Sequence, residues 1–408
     1  MAVEIRPIRS DAELAQHHFI SNYAFNSDRG EESAARRSTY YDRDWCLGAF
    51  DGDELVAGLV IIPFEQYLNG GRIPVGGIAS VSCLPERRRG GFVSALLRQS
   101  LATMRDAGQL VSSLYTPHYS LYRKYGWELA NRIISYSFPP KSLTTRRAQP
   151  AGSWRRIGPD EWAALDALHT AHYASRNGGF ARTERRWRHH VFSDYAKGQR
   201  DAAVWSNAQG QPRGYVVYHT MMRPAPNAPF PETILRVDDW VALDGDAYSA
   251  ILNYLLGHDL SNRILMLASP DDPLPDAFEE PTRIAEPPGA WFGAMLRIVD
   301  VPAALAARPA LPPADGKSAT IAQADASAPW NAGTWRIVCS GDRISAERTN
   351  TAPQLEMDVC ALAPIYNGYT KPVDAARVGS IRVHDVAALD ALSAIFAASF
   401  APYCPDDF

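Results

Sequence analysis

No stretch of about eighteen consecutive apolar residues occurs in this sequence, so no segment reads as a membrane-spanning helix. The opening Met1-Ala2-Val3-Glu4-Ile5-Arg6 lacks the apolar block of a secretory signal, and the cytosol is the expected location. Cysteine is sparse. The five residues Cys46, Cys83, Cys339, Cys360 and Cys404 are scattered and odd in number, with no Cys-x-x-Cys pair. That pattern excludes a zinc knuckle and a disulfide framework. The His17-His18 and His189-His190 pairs lack metal-ligand spacing and are expected on the surface, so no metal is expected. A basic excess is missing too: 41 Lys and Arg stand against 45 Asp and Glu, a formal charge of −4. Nucleic acid is therefore a poor partner, whereas a cationic amine is compatible with the mild acidity.

What is present is a soluble, globular composition, 46% hydrophobic and 21% charged, over 408 residues. A chain of that length exceeds one ordinary core, so two or three domains are expected.

The segment Val81-Ser82-Cys83-Leu84-Pro85-Glu86-Arg87-Arg88-Arg89-Gly90-Gly91-Phe92-Val93-Ser94 carries the most information. It reads as a strand, a basic glycine-containing turn and the start of an amphipathic helix. Such a turn presents free backbone N–H groups and the positive end of the helix dipole, which suits a pyrophosphate. An arginine-rich turn before a helix is commonly no more than a solvated surface, and here the context decides. Asn69-Gly70-Gly71 signals a hairpin before a β-prone run, Ile73 to Cys83. After the turn, helical spacing runs to Gly108, then Leu110 to Leu114 reads as a buried strand. A short helical segment, Pro117 to Tyr125, leads to Gly126-Trp127.

That order resembles the acyl-CoA-binding core of the GNAT superfamily of N-acetyltransferases, whose loop reads Arg/Gln-x-x-Gly-x-Gly/Ala. Here the loop reads Arg88-x-x-Gly91-x-Val93 or, one residue earlier, Arg87-x-x-Gly90-x-Phe92. In either register the last position departs from the pattern, because it holds a large side chain where a small one is preferred.

Along the chain, residues 1–145 read as this first unit, with a helix near Asp11 to Phe19 and strands at Trp45 to Asp51 and Glu54 to Glu65. Residues 150–290 read as a second α/β unit of similar order, with helices at Pro159 to Ser175 and Ala247 to Gly257. It has no Arg-x-x-Gly loop before its second helix, and so reads as a degenerate acetyltransferase-like domain without cofactor. Residues 291–408 read as an α+β domain, with Leu296 to Val299 leading into a helix at Val301 to Leu305 and strands at Trp335 to Cys339 and Arg343 to Arg348.

The three-part order resembles the enhanced intracellular survival (Eis) acetyltransferases over nearly the whole chain. Carrying pieces include Arg88-Arg89-Gly90-Gly91, Leu121-Tyr122-Arg123-Lys124-Tyr125-Gly126-Trp127 and Leu296-Arg297-Ile298-Val299-Asp300-Val301-Pro302. The resemblance implies an α/β (α+β) fold of two tandem GNAT regions, the second degenerate, and a sterol-carrier-protein-like C-terminal domain. It implies acetyl-CoA as co-substrate, direct transfer in a ternary complex to primary amines of polyamine-like molecules such as aminoglycosides, and a homo-hexamer. Acetylation of protein lysines and non-enzymatic lipid or acyl-CoA binding are the alternatives.

The site residues follow from the same resemblance. Val81, Ser82 and Cys83 would pair with the pantetheine arm. Arg88, Arg89, Gly90, Gly91, Phe92, Val93 and Ser94 would hold the pyrophosphate, with Pro117 and His118 at a later cofactor contact. Tyr122 occupies the place of the general acid, although Tyr115, Tyr119 and Tyr125 lie nearby. The carboxylate of Phe408 would act as the base or as an anchor for the amine. An unperturbed α-carboxyl titrates near roughly 3.3–3.7 and is a weak base at neutral pH. Asp28, Glu31, Glu32, Asp406 and Asp407 are candidates for an acidic pocket lined by Phe25 to Tyr41. Ser27 and Arg37 depart from the family pattern there, and an arginine in the pocket would repel a polycation.

Overall fold

A computed structural model describes residues 3–28, 42–193, 200–224, 230–284 and 290–408. The N-terminal stretch supplies strands β1 (Glu4–Pro7), β2 (Cys46–Asp51), β3 (Glu54–Leu68), β4 (Gly71–Cys83), β5 (Val111–Leu114) and β6 (Glu128–Leu129). The middle supplies β7 (Arg132–Phe138), β8 (Gly152–Arg156), β9 (Asp201–Asn207), β10 (Pro212–Arg223), β11 (Glu232–Ala242), β12 (Arg263–Ala268) and β13 (Ala290–Phe292). Strand β14 (Met295–Ile298) follows, then β15 (Ser318–Ala324), β16 (Gly333–Ser340), β17 (Arg343–Arg348), β18 (Leu355–Asp358) and β19 (Ile381–Val383).

Three sheets result. The first has the order β1-β2-β3-β4-β5-β14-β6, the second β13-β7-β12-β11-β10-β9-β8, and the third β17-β16-β15-β18-β19. Local chemistry sets much of this. Asn69 and Gly70 both adopt positive φ, 45° and 90°, which closes the two-residue turn between β3 and β4. Ser10 caps helix α1 (Asp11–Ala24), its hydroxyl accepting from the Glu13 N–H. Helix α2 (Phe92–Asp106) buries Leu96, Leu97, Leu101 and Met104 against the first sheet, at helical spacing.

The sequence boundaries near 145 and 291 do not coincide with strand membership. Strand β7, read above as the end of the first segment, pairs antiparallel with β12 in the second sheet. Strand β14, read as the entry to the third, lies between β5 and β6 in the first sheet. Side-chain alternation identifies a strand but not its partner. The chain accordingly divides into two compact units. One comprises residues 1–131, 176–180 and 293–408, and the other 132–175 and 181–292.

A second correction concerns α1. The His17-His18 pair, expected on the surface, is buried, at 1% and 8% exposure. The imidazole of His17 fills the space over Gly58 of β3, where a Cβ would lie 2.3 Å from its ring. A glycine in the sheet thus admits a large ring from the helix.

In the third sheet, α6 (Val301–Ala307) packs on β17 and α9 (Val386–Ile395) on β15. Strands β15 and β18 were not singled out from the sequence. Strand β18 has only four residues, and β15 carries alanine at three of its seven positions.

Candidate active site

Strand β4 organises the site. Its pairing with β5 covers only Val75–Gly77 against Val111–Ser113. Past Gly77 the two strands separate, so the β4 edge is left without a ladder partner there among the described residues. On its other side, β4 breaks register with β3 between Gly58 and Val60, and Ser80 is driven to a φ of 53°. A bulge of this kind re-aims backbone groups. The segment Val81-Ser82-Cys83 follows it. Ser82 is buried, and its hydroxyl has no hydrogen-bond partner. An open strand edge of this kind suits an extended, amide-bearing ligand.

The loop comes next. Arg87 is tied down, its guanidinium donating to Asp51 at 2.9 Å and Glu54 at 2.6 Å. Arg88 and Arg89 are exposed. Gly91 is the N-cap of α2 at φ 85°, and no side chain caps that helix start. A Cβ built at Gly91 would meet nothing within 4 Å, whereas one at Gly90 would strike the Phe92 ring at 2.7 Å. Gly91 therefore leaves the backbone open to a ligand, and its N–H neighbours in the first turn lack intrahelical acceptors. This favours the register Arg88-x-x-Gly91-x-Val93. The bulk at its last position does no harm, because Phe92 is buried in the core and Val93 packs against the same cluster.

Helix α3 (Tyr119–Arg123) carries Tyr122, which is 8% exposed and edge-on to Trp127, ring centroids 6.3 Å apart. Burial pushes its pKa up to about 12. The phenol therefore stays protonated and can donate, not accept, a proton near neutral pH. Burial also pushes Tyr115 well above the ordinary tyrosine value, chiefly by desolvation. The Tyr115 hydroxyl donates to the Cys404 carbonyl at 3.4 Å, and Tyr125 shares a 2.5 Å hydrogen bond with Ser94. Pro117 and His118 are exposed just before α3, with the His118 N–H donating to Thr116 Oγ1 at 2.8 Å. Tyr122, Cys83 and Phe92 belong to one core cluster, and Val81, Val93 and Phe408 pack against it. The loop, the strand, the tyrosine helix and the terminal residue thus border one core.

The Phe408 ring sits among three others: Phe64 at 5.0 Å, Tyr115 at 5.6 Å and Phe180 at 5.7 Å between centroids. Phe64 and Phe180 also stack on each other at 4.6 Å. Residues 176–180 build this cage. Their backbone pairs with the end of β3 through Tyr67, and the Tyr403 N–H donates to the Asn177 carbonyl at 2.9 Å. Phe408 is held by this ring packing. Sequence reading missed Phe64, Phe180 and Gly77 as site residues. The adjacent Gly76-Gly77 inside a strand was the available signal, since glycine in a strand marks a close approach.

Of the acidic candidates, Asp406 is 2% exposed while Asp28 and Asp407 are exposed. Glu31, Glu32 and Arg37 lie outside the described residues.

The second sheet lacks a comparable site at the matching helix. Helix α5 (Gly245–Leu256) follows β11 with Asp244 as its N-cap, whose carboxylate accepts from the Ala247 N–H at 2.8 Å. Burial alone would raise the Asp244 pKa, yet the bonds from Ala247 and Arg213 hold it below the usual carboxylate range. A carboxylate thus occupies the position where α2 offers free N–H groups, and it would repel a pyrophosphate.

A splayed parallel strand pair leading through a basic turn into an uncapped helix start is the arrangement of the GNAT acetyltransferase fold. The comparisons agree. The acetyltransferase (GNAT) domain family matches residues 4–130, a second acetyltransferase (GNAT) domain family matches 178–298, and a sterol carrier protein domain matches 301–405. An uncharacterized N-acetyltransferase of Streptomyces avermitilis is 28% identical, the alignment covering 100% of this chain and 99% of that one. N-acetyltransferase Eis of Mycobacterium tuberculosis is 25% identical over 92% of each chain. The crystal structure of Eis1 from Mycobacterium abscessus superimposes with a TM-score of 0.83 at 27% identity, covering 100% of each chain. A GCN5-related N-acetyltransferase from Anabaena variabilis shares the fold, with a TM-score of 0.89 at 22% identity over 100% of both chains. The chain thus carries two acetyltransferase (GNAT) domains and a sterol carrier protein domain, and it is similar along nearly its whole length to the Eis N-acetyltransferases.

Proposed function

We propose that this enzyme moves an acetyl group from acetyl-CoA directly to a primary amine of a small polyamine-like molecule, aminoglycosides first among them, with both substrates bound at once. The observation that carries this reading is the placement of both halves of the site on β4. Its C-terminal end runs into the Arg88–Ser94 loop, and its Gly77 lies under the Phe408 ring.

Acetyl-CoA supplies the activated acyl group as a thioester. Arg88, Arg89 and the first-turn N–H groups at Phe92, Val93 and Ser94 hold its pyrophosphate, with Gly90 and Gly91 allowing close approach and Pro117 and His118 flanking the exit. Val81, Ser82 and Cys83 pair with the pantetheine arm, and a backbone donor at the bulge polarises the thioester carbonyl. The amine nitrogen attacks that carbon, the C–N bond forms and the C–S bond breaks. Tyr122 gives its proton to the departing sulfur. The Phe408 carboxylate takes the ammonium proton or anchors the cation while water removes it. Phenol and carboxylate return to their starting states through solvent. Holding amine and thioester together supplies much of the rate.

Asp406, two residues before Phe408, is buried. A lipid-carrier role finds no support in the third sheet, whose interior is filled by Ile321, Ile337, Leu355, Leu362 and Leu392, each 0% exposed.

Thiol release from acetyl-CoA, followed across kanamycin, spermidine, 1,5-diaminopentane and a lysine peptide, tests the proposal. Turnover with the first three and little with the peptide is expected. Turnover confined to the peptide would replace the small-molecule reading with a protein-lysine one.

A further inference from the structure

One charged side chain stands in the middle of the apolar strand Met295-Leu296-Arg297-Ile298. Arg297 is fully buried, and each of its three guanidinium nitrogens donates a hydrogen bond. Nη2 donates to both oxygens of Asp325, at 2.8 and 2.6 Å, and Nη1 donates to the Ile298 carbonyl at 2.8 Å. Nε donates at 2.9 Å to the carbonyl of Tyr125. Asp325 is held in turn by the N–H groups of Ser327 and Ala328 and by Asn331 Nδ2 at 3.1 Å.

The Tyr125 carbonyl belongs to the turn that ends the tyrosine helix. Within it, the N–H groups of Tyr125 and Trp127 both donate to the carbonyl of Tyr122, at 2.9 and 3.3 Å. Gly126 takes a φ of 93°, and a Cβ there would lie 2.7 Å from Arg297 Nε. The turn is therefore folded down onto the guanidinium, and only glycine permits it. From the same turn, the Tyr125 hydroxyl reaches Ser94 in the first turn of α2. Arg297 thus braces the short segment that joins Tyr122 to the cofactor helix.

We infer that Arg297 is a positioning residue for Tyr122: its guanidinium, oriented by Asp325 from the C-terminal region, fixes the turn at Tyr125 and so sets the spacing between the Tyr122 phenol and the helix that grips the cofactor. This rests on Tyr122 being the proton donor. A buried ion pair is a weak device for stability, since apolar replacements are often as stable. Its value here is geometric. A planar, forked donor can serve a carboxylate and two carbonyls in fixed directions, and an ammonium cannot.

The test uses the full chain. Arg297→Lys keeps the charge and loses the fork, while the double variant Arg297→Met/Asp325→Asn removes both charges and leaves no lone buried carboxylate. Each is made in the wild-type and in the Tyr122→Phe background. Thiol release from acetyl-CoA is measured with the strongest acceptor of the amine panel above. On the wild-type background, kcat is expected to fall about tenfold, the order set by small misplacement of a reacting group. The KM for acetyl-CoA should stay within about twofold, because the loop itself is untouched. On the Tyr122→Phe background the same replacements should cost less than about twofold, since Arg297 acts through that phenol. An equal loss on both backgrounds, with a slow Tyr122→Phe parent, overturns the inference and leaves the role of Tyr122 intact. A fully active Tyr122→Phe parent overturns the role of Tyr122 and this inference together. A parallel loss in kcat and acetyl-CoA binding in both Arg297 variants marks the pair as purely structural and also overturns it.

Discussion

The ring of Phe408 lies where a side chain on Gly77 would have to be. A Cβ at position 77 would sit 2.9 Å from Phe408 Cε2 and 2.5 Å from Phe64 Cε2. A residue in the middle of β4 and the last residue of the sequence are therefore one packing unit.

Gly77→Ala should displace one or both rings, because contacts that close are not tolerated in a packed interior. The expected result is a fall in kcat of about tenfold, with the affinity for CoA by calorimetry unchanged. An unaltered kcat would mean that the ring cage is dispensable for transfer.

The arginines of the loop should separate by role. Arg88→Gln and Arg89→Gln should each raise the KM for acetyl-CoA, and added salt should shrink the difference from wild type. Arg87→Gln should leave KM alone, since that side chain is spent on Asp51 and Glu54. Its cost should appear only as a small fall in melting temperature, because an exposed ion pair contributes little. Steady-state kinetics at two ionic strengths decides this.

For Tyr122 the sign of the pH effect follows from burial. A phenol whose pKa is pushed up to about 12 keeps its proton through the neutral and mildly alkaline range. The wild-type kcat should show no falling limb between about pH 7 and pH 10 from this residue, because its loss of the proton lies higher. Tyr122→Phe should lower kcat about a hundredfold across that range, the low end for a lost general acid. A falling limb near pH 9 that vanishes in Tyr122→Phe would contradict the upward shift of this phenol, whereas an undiminished kcat in Tyr122→Phe would contradict its role as acid.

One glycine appended after Phe408 converts its carboxylate to an amide and moves the new terminus about 3.5 Å away. Acetyl transfer should fall by about a hundredfold or more if that carboxylate handles the ammonium proton. Phe408→Ala keeps a carboxylate but removes the ring that fixes it, and should be intermediate. Equal activity in all three proteins would remove the chain end from the mechanism.

Much of the local structure around the candidate site was readable where short-range chemistry dictates it. Asn69-Gly70 closed its hairpin, the glycines stood at the start of α2, and Tyr122 lay on its own short helix. The parts that escaped were set by pairing across long separations. Phe180 reaches Phe408 over 228 positions, and nothing within either segment encodes that contact. Local sequence places His17 on the surface, because its burial depends on Gly58, forty-one positions away in another element. Arg297 did leave a trace, as a lone charge inside an apolar strand, but its partners Asp325 and Tyr125 come from separate parts of the chain. The sequence leaves two registers of the loop open, and the engagement of Arg87 with Asp51 and Glu54 and the clearance at Gly91 favour the later one.

The crossing of β7 and β14 between sheets has a practical consequence. A fragment cut after residue 145 would keep β5 and β6 but lose β14, the strand that bridges them, and would carry β7 with no β12 to receive it. Two unsatisfied edges in one fragment invite aggregation. Neither acetyltransferase-like portion can be excised along its apparent border and remain a sound protein, so the acetylating machinery and its carboxyl-terminal region are inherited as a single indivisible object.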